Sequence, residues 1–266
     1  ESASVGLSAA QGYGWCGGLS AAQGYGWCGG SMRHTHPMRR FFGIVTDYAY
    51  VGRARLRYWR YGARPPAPID AAPDAPPPVL LIPGVFETWH YLKPIRDRLV
   101  ALGHPVHSVP ELGFNRHPIP EMAALLAAYV AHRELADLRI VAHSKGGLIG
   151  KLLLVGDDPQ AGGAGSVDRM ISINTPYGGS PLARYGLGPW REFTPTRPVI
   201  RELAAAPHVN ARITALRSAF DQYVPPESAH LDGAENVPLP HVGHFRVLGL
   251  PDVIEQVAHR VGARPV

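Results

Sequence analysis

The sequence predicts an α/β fold, a mostly parallel sheet with helices on both faces and a small cap insertion. Three observations carry this expectation. Short apolar runs, unbroken at Val79–Ile82 and including Arg139 at 138–141, have the pattern of buried strands. Segments with helical spacing stand between those runs, and such alternation argues for a parallel sheet. The run at 138–141 passes through a small-residue turn straight into a helical pattern.

Taken in order, residues 41–61 hold alternating, β-rich patterns, notably Ala54-Arg55-Leu56-Arg57-Tyr58-Trp59-Arg60-Tyr61, which predict an antiparallel edge hairpin. Residues 63–78 hold seven prolines and predict a stiff surface loop. Val79–Ile82 is the first buried strand. Leu92, Ile95, Leu99 and Leu102 have helical spacing that stops at Gly103. A second strand is expected at 105–109, then an amphipathic helix at 119–135 entered through Pro118 and Pro120. Strands follow at 138–141, 170–173, 213–220 and 236–240, with a closing helix after them. Residues 177–210 interrupt the alternation. They set Leu182, Tyr185, Trp190 and Phe193 among glycines and prolines, and predict a small cap leaving the sheet beside the Ser turn.

The most informative motif is Ala142-His143-Ser144-Lys145-Gly146-Gly147 after the strand at 138–141. Strand, tight Ser turn and helix make the layout of a nucleophile elbow, which lifts one hydroxyl above the sheet and aims a helix N-terminus at it. Asp221 stands at the end of the strand at 213–220, and His244 follows the last predicted strand. The chain order Ser, acid, His is that of one class of serine triad. Upstream, Val79-Leu80-Leu81-Ile82-Pro83-Gly84-Val85-Phe86 is a strand ending in a Gly turn, suited to half of an oxyanion hole.

These pieces resemble α/β-hydrolases of the bacterial triacylglycerol lipase and carboxylesterase type. The resemblance rests on Pro83-Gly84-Val85-Phe86, the 142–147 motif, Asn174-Thr175-Pro176-Tyr177-Gly178-Gly179-Ser180, Asp221-Gln222-Tyr223-Val224-Pro225 and Gly243-His244-Phe245. Two positions depart from the pattern: Pro83 replaces the common His before the oxyanion-hole glycine, and Ala142 replaces the first elbow glycine. The resemblance implies a serine carboxylic-ester hydrolase (esterase or lipase) acting through an acyl-enzyme, with medium to long acyl esters as substrates. Ser144 is then the nucleophile, His244 the general base and Asp221 the group that orients the imidazole. The backbone N–H groups of Val85 and Lys145, with Phe86 as neighbouring candidate, are the expected oxyanion donors. Phe86, Trp89, Tyr177 and Trp190 are candidates for the substrate pocket.

Rival assignments stay open at this stage. His241 competes with His244, and Glu227 and Asp232 compete with Asp221. Lys145 reads as a solvated side chain rather than a base, His143 as pointing away from the nucleophile. Asn115 and Arg116 fit either a site mouth or a plain turn. An acyltransferase or thioesterase would use the same triad, and a non-catalytic hydrolase-fold binding protein is a third reading.

Composition bounds the rest. Residues 7–18 and 19–30 repeat one twelve-residue unit, which reads as an appended leader over 1–31 with Met32 as the native start and one α/β domain over 32–266. Both cysteines, Cys16 and Cys28, lie in that leader, so no disulfide framework is expected in the body. No signal-peptide h-region follows Met32 and no apolar run reaches membrane-span length, so a cytoplasmic protein is expected. The formal charge of +5 comes mainly from scattered arginines. It gives no support for nucleic-acid binding and allows transient contact with a lipid interface. No cluster has metal-ligand spacing and no phosphate loop is present, so neither metal nor cofactor is expected. Partners reduce to a small-molecule or lipid ester.

Overall fold

The computed structural model describes residues 37–68, 74–180, 183, 185, 186 and 188–262. The expected leader lies outside them. In chain order the elements are α1 (Pro37–Tyr61), β1 (Val79–Ile82), α2 (Lys93–Ala101), β2 (Val106–Ser108), α3 (Ile119–His132), β3 (Leu138–His143) and α4 (Lys145–Gly156). Then come β4 (Val167–Ile173), α5 (Pro198–Ala204), β5 (Ile213–Phe220), α6 (Pro226–Ala229), β6 (Glu235–Val242) and α7 (Pro251–Gly262).

The described strands pair in the order β2-β1-β3-β4-β5-β6, and every neighbouring pair is parallel. Side chains alternate across a strand, so each central strand feeds two cores. Leu80, Ile82 and Ile140 join Leu126 of α3 and Leu148 and Leu154 of α4 on one face. Val79, Leu81 and Val141 join Leu99 of α2 and Val253 and Val257 of α7 on the other. That double coverage explains why β1 reads as an unbroken apolar run and β3 as a mostly apolar one, interrupted by Arg139. The edge strand β6 carries Pro238 and Pro240, which lack the N–H that an interior strand would need.

The chain steps from β1 outward to β2, returns across β1 to β3, and then proceeds one way to β6. The switch point lies between β1 and β3, and the crevice beyond their C-terminal ends is where open parallel sheets place ligands. The loop after β1 carries Gly84 and Val85, and the turn after β3 carries Ser144.

Residues 37–61 form the single helix α1, not the expected edge hairpin. Pro37 suits a first helical position, and Gly43, Asp47, Tyr50 and Ala54 form the buried line at helical spacing. The β reading followed the alternating arginines at 53, 55 and 57. Apolar residues on the outer side of α1 as well as the inner side blurred the helical period.

Candidate active site

Ser144 sits at the apex of the turn between β3 and α4 with φ 51° and ψ −121°. A non-glycine residue with positive φ is strained and is retained only where its surroundings impose it. Here the Ser144 N–H donates to the Ile173 carbonyl at 2.9 Å, and Gly147 N–H donates back to the Ser144 carbonyl at 3.0 Å. The glycines after Ser144 let α4 approach the sheet. A Cβ on Gly146 would overlap the Ile82 carbonyl, and one on Gly147 would overlap Thr175. Ala142 is wholly buried in the core, so the departure from glycine there is accommodated by packing.

Asp221 and His244 meet as a buried pair, His244 Nδ1 to Asp221 Oδ2 at 2.5 Å. The other oxygen of Asp221 accepts from Tyr223 N–H at 2.8 Å and Val224 N–H at 3.0 Å, which aims the carboxylate. Burial works to lower the His244 pKa, but the Asp221 carboxylate, with Glu87 and Asp47 farther off, brings it net above the ordinary histidine value. The rivals stand elsewhere. His241 pairs with Asp252 at 2.6 Å, Asp232 is exposed beside His230, and Glu227 is exposed on α6. Ser144 Oγ makes no hydrogen bond to His244 among the described residues. In unliganded sites such bonds are often long and tighten only with substrate.

The loop after β1 closes on the same place. A Cβ on Gly84 would lie 3.1 Å from the Ser144 Cβ. Neither Val85 N–H nor Lys145 N–H has a hydrogen-bond partner among the described residues, so both remain available as donors beside Ser144. Phe86 is different. Its N–H is engaged with the Phe114 carbonyl at 2.8 Å, which removes it as an oxyanion donor.

Lys145 departs most from expectation. Its side chain is fully buried rather than solvated. Its Nζ lies 3.2 Å from Glu192 Oε2, donates to the Asn115 carbonyl at 3.3 Å, and makes a closer bond to the His117 carbonyl. Desolvation lowers its pKa and Glu192 opposes that shift. The amine therefore ties the elbow to the 115–117 turn and the 188–193 segment. Asn115 is buried and donates to the Pro83 carbonyl at 2.7 Å, bracing the oxyanion loop, while Arg116 is exposed.

His143 is buried and carries the placement of three loops. Its Nδ1 lies 2.8 and 2.9 Å from the two Glu87 oxygens, and its Nε2 lies 3.0 Å from the His244 carbonyl. Both ring nitrogens face oxygen acceptors. Glu87 Oε2 also accepts the Gly84 N–H at 2.9 Å. The Glu87–His143 pair thus joins the oxyanion loop, the elbow and the His244 loop. Removing one partner of such a buried pair typically costs about 3–5 kcal/mol. Asn174, at φ 50°, adds a further tie by donating to the His244 carbonyl at 3.1 Å and accepting from Ser218 N–H at 2.9 Å.

Of the expected pocket residues, Phe86 and Trp190 lie together, ring centroids 6.3 Å apart. Trp190 stacks on Tyr223 at 5.7 Å, and Tyr223 meets the His244 ring edge-on at 5.3 Å. These three aromatics form a roof of linked rings whose Tyr223 end touches His244. Tyr177 is instead a core residue whose hydroxyl donates to Ser172 Oγ at 2.8 Å. Trp89 stacks on His90 and donates to the Ala63 carbonyl at 3.2 Å. It lines a small cavity of about 50 Å³ with Tyr58, Ser108 and Phe114, and Ser144 is not part of that lining. Within the segment expected as a cap, residues 188–193 bring Trp190 to the roof while Val199, Ile200 and Leu203 of α5 pack into the core.

Sequence reasoning missed Glu87, Asp47, Asn174 and Tyr223 as site-forming residues. Asn174 and Tyr223 stood inside the quoted motifs without a role, and the two acids had a signal of their own. Glu87 is a lone acid inside Phe86-Glu87-Thr88-Trp89, and Asp47 is the single acid among the residues of α1. Glu87, His143 and His244 also offer metal-ligand atoms within 4.8 Å of one another. The Glu87 and His143 atoms already bond to Gly84 N–H, to each other and to the His244 carbonyl, so the group is knit shut and is assigned no ion.

The sequence matches no protein-family model and no curated protein. Solved structures do match. Aspergillus fumigatus lipase B superposes with a TM-score of 0.58 at 18% identity, over 75% of this chain and 63% of that one. The mature form of Bacillus licheniformis lipase BlEst2 gives 0.57 at 14% identity, over 75% and 96%. A putative non-heme bromoperoxidase, BpoC, from Mycobacterium tuberculosis gives 0.54 at 14%, over 70% and 91%. The chain has the α/β-hydrolase fold. On an α/β-hydrolase sheet, Ser144 follows β3 at the switch point, and Asp221 and His244 follow β5 and β6 at the same C-terminal edge. The named neighbours differ in chemistry, so the fold alone assigns no activity. Among the described residues no helix is long and apolar enough to cross a membrane.

Proposed function

We propose that this protein is a serine carboxylic-ester hydrolase working through an acyl-enzyme. Ser144 attacks the ester carbonyl and its proton passes to His244 Nε2. Asp221 holds the opposite tautomer and balances the imidazolium. The tetrahedral oxyanion is bound by Val85 and Lys145 N–H, and His244 then returns the proton to the leaving alkoxide. Water repeats the cycle on the acyl-enzyme. The observation that carries this reading is the buried Asp221–His244 pair at 2.5 Å, on the same sheet edge as a serine held at positive φ. The aromatic roof of Phe86, Trp190 and Tyr223 supports an apolar acyl group as the substrate portion beneath it.

The test is hydrolysis of p-nitrophenyl esters of rising acyl length by the wild type and Ser144→Ala, with covalent labelling by a fluorophosphonate. Wild-type turnover and labelling are expected, both lost in the variant, a fall of about 10⁴-fold or more in kcat. A folded wild type that neither turns over any ester nor labels at Ser144 overturns the reading.

A further inference from the structure

The outer side of α1 is apolar along its length. Phe41, Val45, Tyr48, Gly52, Leu56 and Trp59 follow at steps of four, three, four, four and three, one stripe of a 3.6-residue period. All six are exposed, with Trp59 at 83%, Leu56 at 65% and Phe41 at 61%. This stripe lies opposite the buried line of Gly43, Asp47, Tyr50 and Ala54. At 100° per residue, Arg55 borders it on one side and Arg53 and Arg60 on the other. The helix holds six arginines and one acid, and that acid, Asp47, is fully buried.

We propose that α1 is an interfacial helix that seats the protein on an anionic lipid surface, with the Phe41–Trp59 stripe in the headgroup boundary and the flanking arginines on lipid phosphates. An amphipathic helix with aromatics on one face and arginines at its borders is the chemistry such surfaces bind. Charge excludes the simplest alternative. Two copies meeting through this stripe would bring arginine against arginine, with no exposed acid on either α1 to pair them. An anionic bilayer supplies the missing charge continuously, and arginine stems reach past the apolar boundary to do so. The seat also has a direction. Tyr48 Oη on the stripe lies 2.6 Å from Tyr223 Oη, and Tyr223 belongs to the roof over His244. The lipid plane therefore adjoins the mouth of the candidate site. The inference does not rest on the ester-hydrolase reading, because binding is measured without turnover.

The experiment is co-flotation of the full chain with phosphatidylcholine vesicles, with and without phosphatidylglycerol. Flotation is expected with phosphatidylglycerol and weakened by high salt. Arg53→Glu with Arg60→Glu should weaken partitioning about thirtyfold or more. Leu56→Ser with Trp59→Ser should weaken it comparably while leaving the circular dichroism unchanged. Equal flotation with both lipids, none with either, or flotation unaffected by both variants overturns the proposal. A dimer in light scattering that Leu56→Ser with Trp59→Ser dissolves, without flotation, replaces it with self-association.

Discussion

His244 is set by two opposed effects. Burial favours the neutral ring, while Asp221, Glu87 and Asp47 favour the charged one, and the carboxylates prevail. His143 and Tyr223 also face the ring, at 4.6 and 5.3 Å between centroids. A raised folded pKa means that the stabilisation of charged His244 is complete below about pH 6.5 and is lost as pH rises through the folded value. The proposed chemistry needs the neutral ring, so the ascending limb of kcat/KM should lie above pH 6.5. Asp221→Asn removes the nearest negative charge and leaves burial less opposed. Its residual activity should show that limb moved down, together with a loss of about 10⁴-fold in kcat. A wild-type limb at or below pH 6.5 contradicts this account of the pair. That Ser144, Asp221 and His244 each follow a strand was legible in the chain, because apolar runs end just before all three. Lys145 was not, since whether a lysine next to a serine is solvated depends on Glu192, forty-seven positions away in the sequence.

At the scale of elements, α4 shows why the turn after Ser144 carries two glycines. A methyl on Gly146 would meet the backbone of β1 at Ile82, which no rotamer change can relieve. Gly146→Ala should therefore destabilise the fold by about 1–3 kcal/mol or more in chemical denaturation. Gly156, at the far end of α4, has open space around its Cα, and Gly156→Ala should gain about 0.5–1 kcal/mol from helix propensity. Equal effects at the two positions would refute close packing of α4 on β1. The central strands β1 and β3 were readable because burial on both faces leaves a mostly apolar run. The helix α1 was misread for a related reason. Apolar residues on its outer side obscured its period, and its contacts with β6, the 89–91 segment and the chain after His244 distinguish the inner side from the outer.

Across the whole molecule, Asp47 links the beginning of the described chain to its end. Oδ1 accepts from Phe245 N–H at 2.8 Å and Arg246 N–H at 2.7 Å, and Oδ2 accepts from Gln222 at 2.6 Å. One buried carboxylate thus anchors both the loop that bears Asp221 and the loop that bears His244. Asp47→Ala would orphan the half-buried N–H groups of Phe245 and Arg246, at about 1–2 kcal/mol each. The expected outcome is a loss of roughly 2–5 kcal/mol of stability in urea titration and a fall in kcat, with Asp47→Asn intermediate. A change within the error of the wild type would show that α1 is dispensable to the site. The sequence by itself determined what is local: the alternation of strand and helix, the Ser turn and the order of Ser144, Asp221 and His244. These follow from hydrophobic period and turn chemistry, which act over a few residues. Only the tertiary structure decided that Glu87 and His143 clasp three loops, that Phe86 N–H is taken by Phe114, that Tyr177 belongs to the core, and that α1 is a helix with an exposed aromatic stripe. Each depends on neighbours that other elements of the packed chain supply. No local pattern encodes those neighbours.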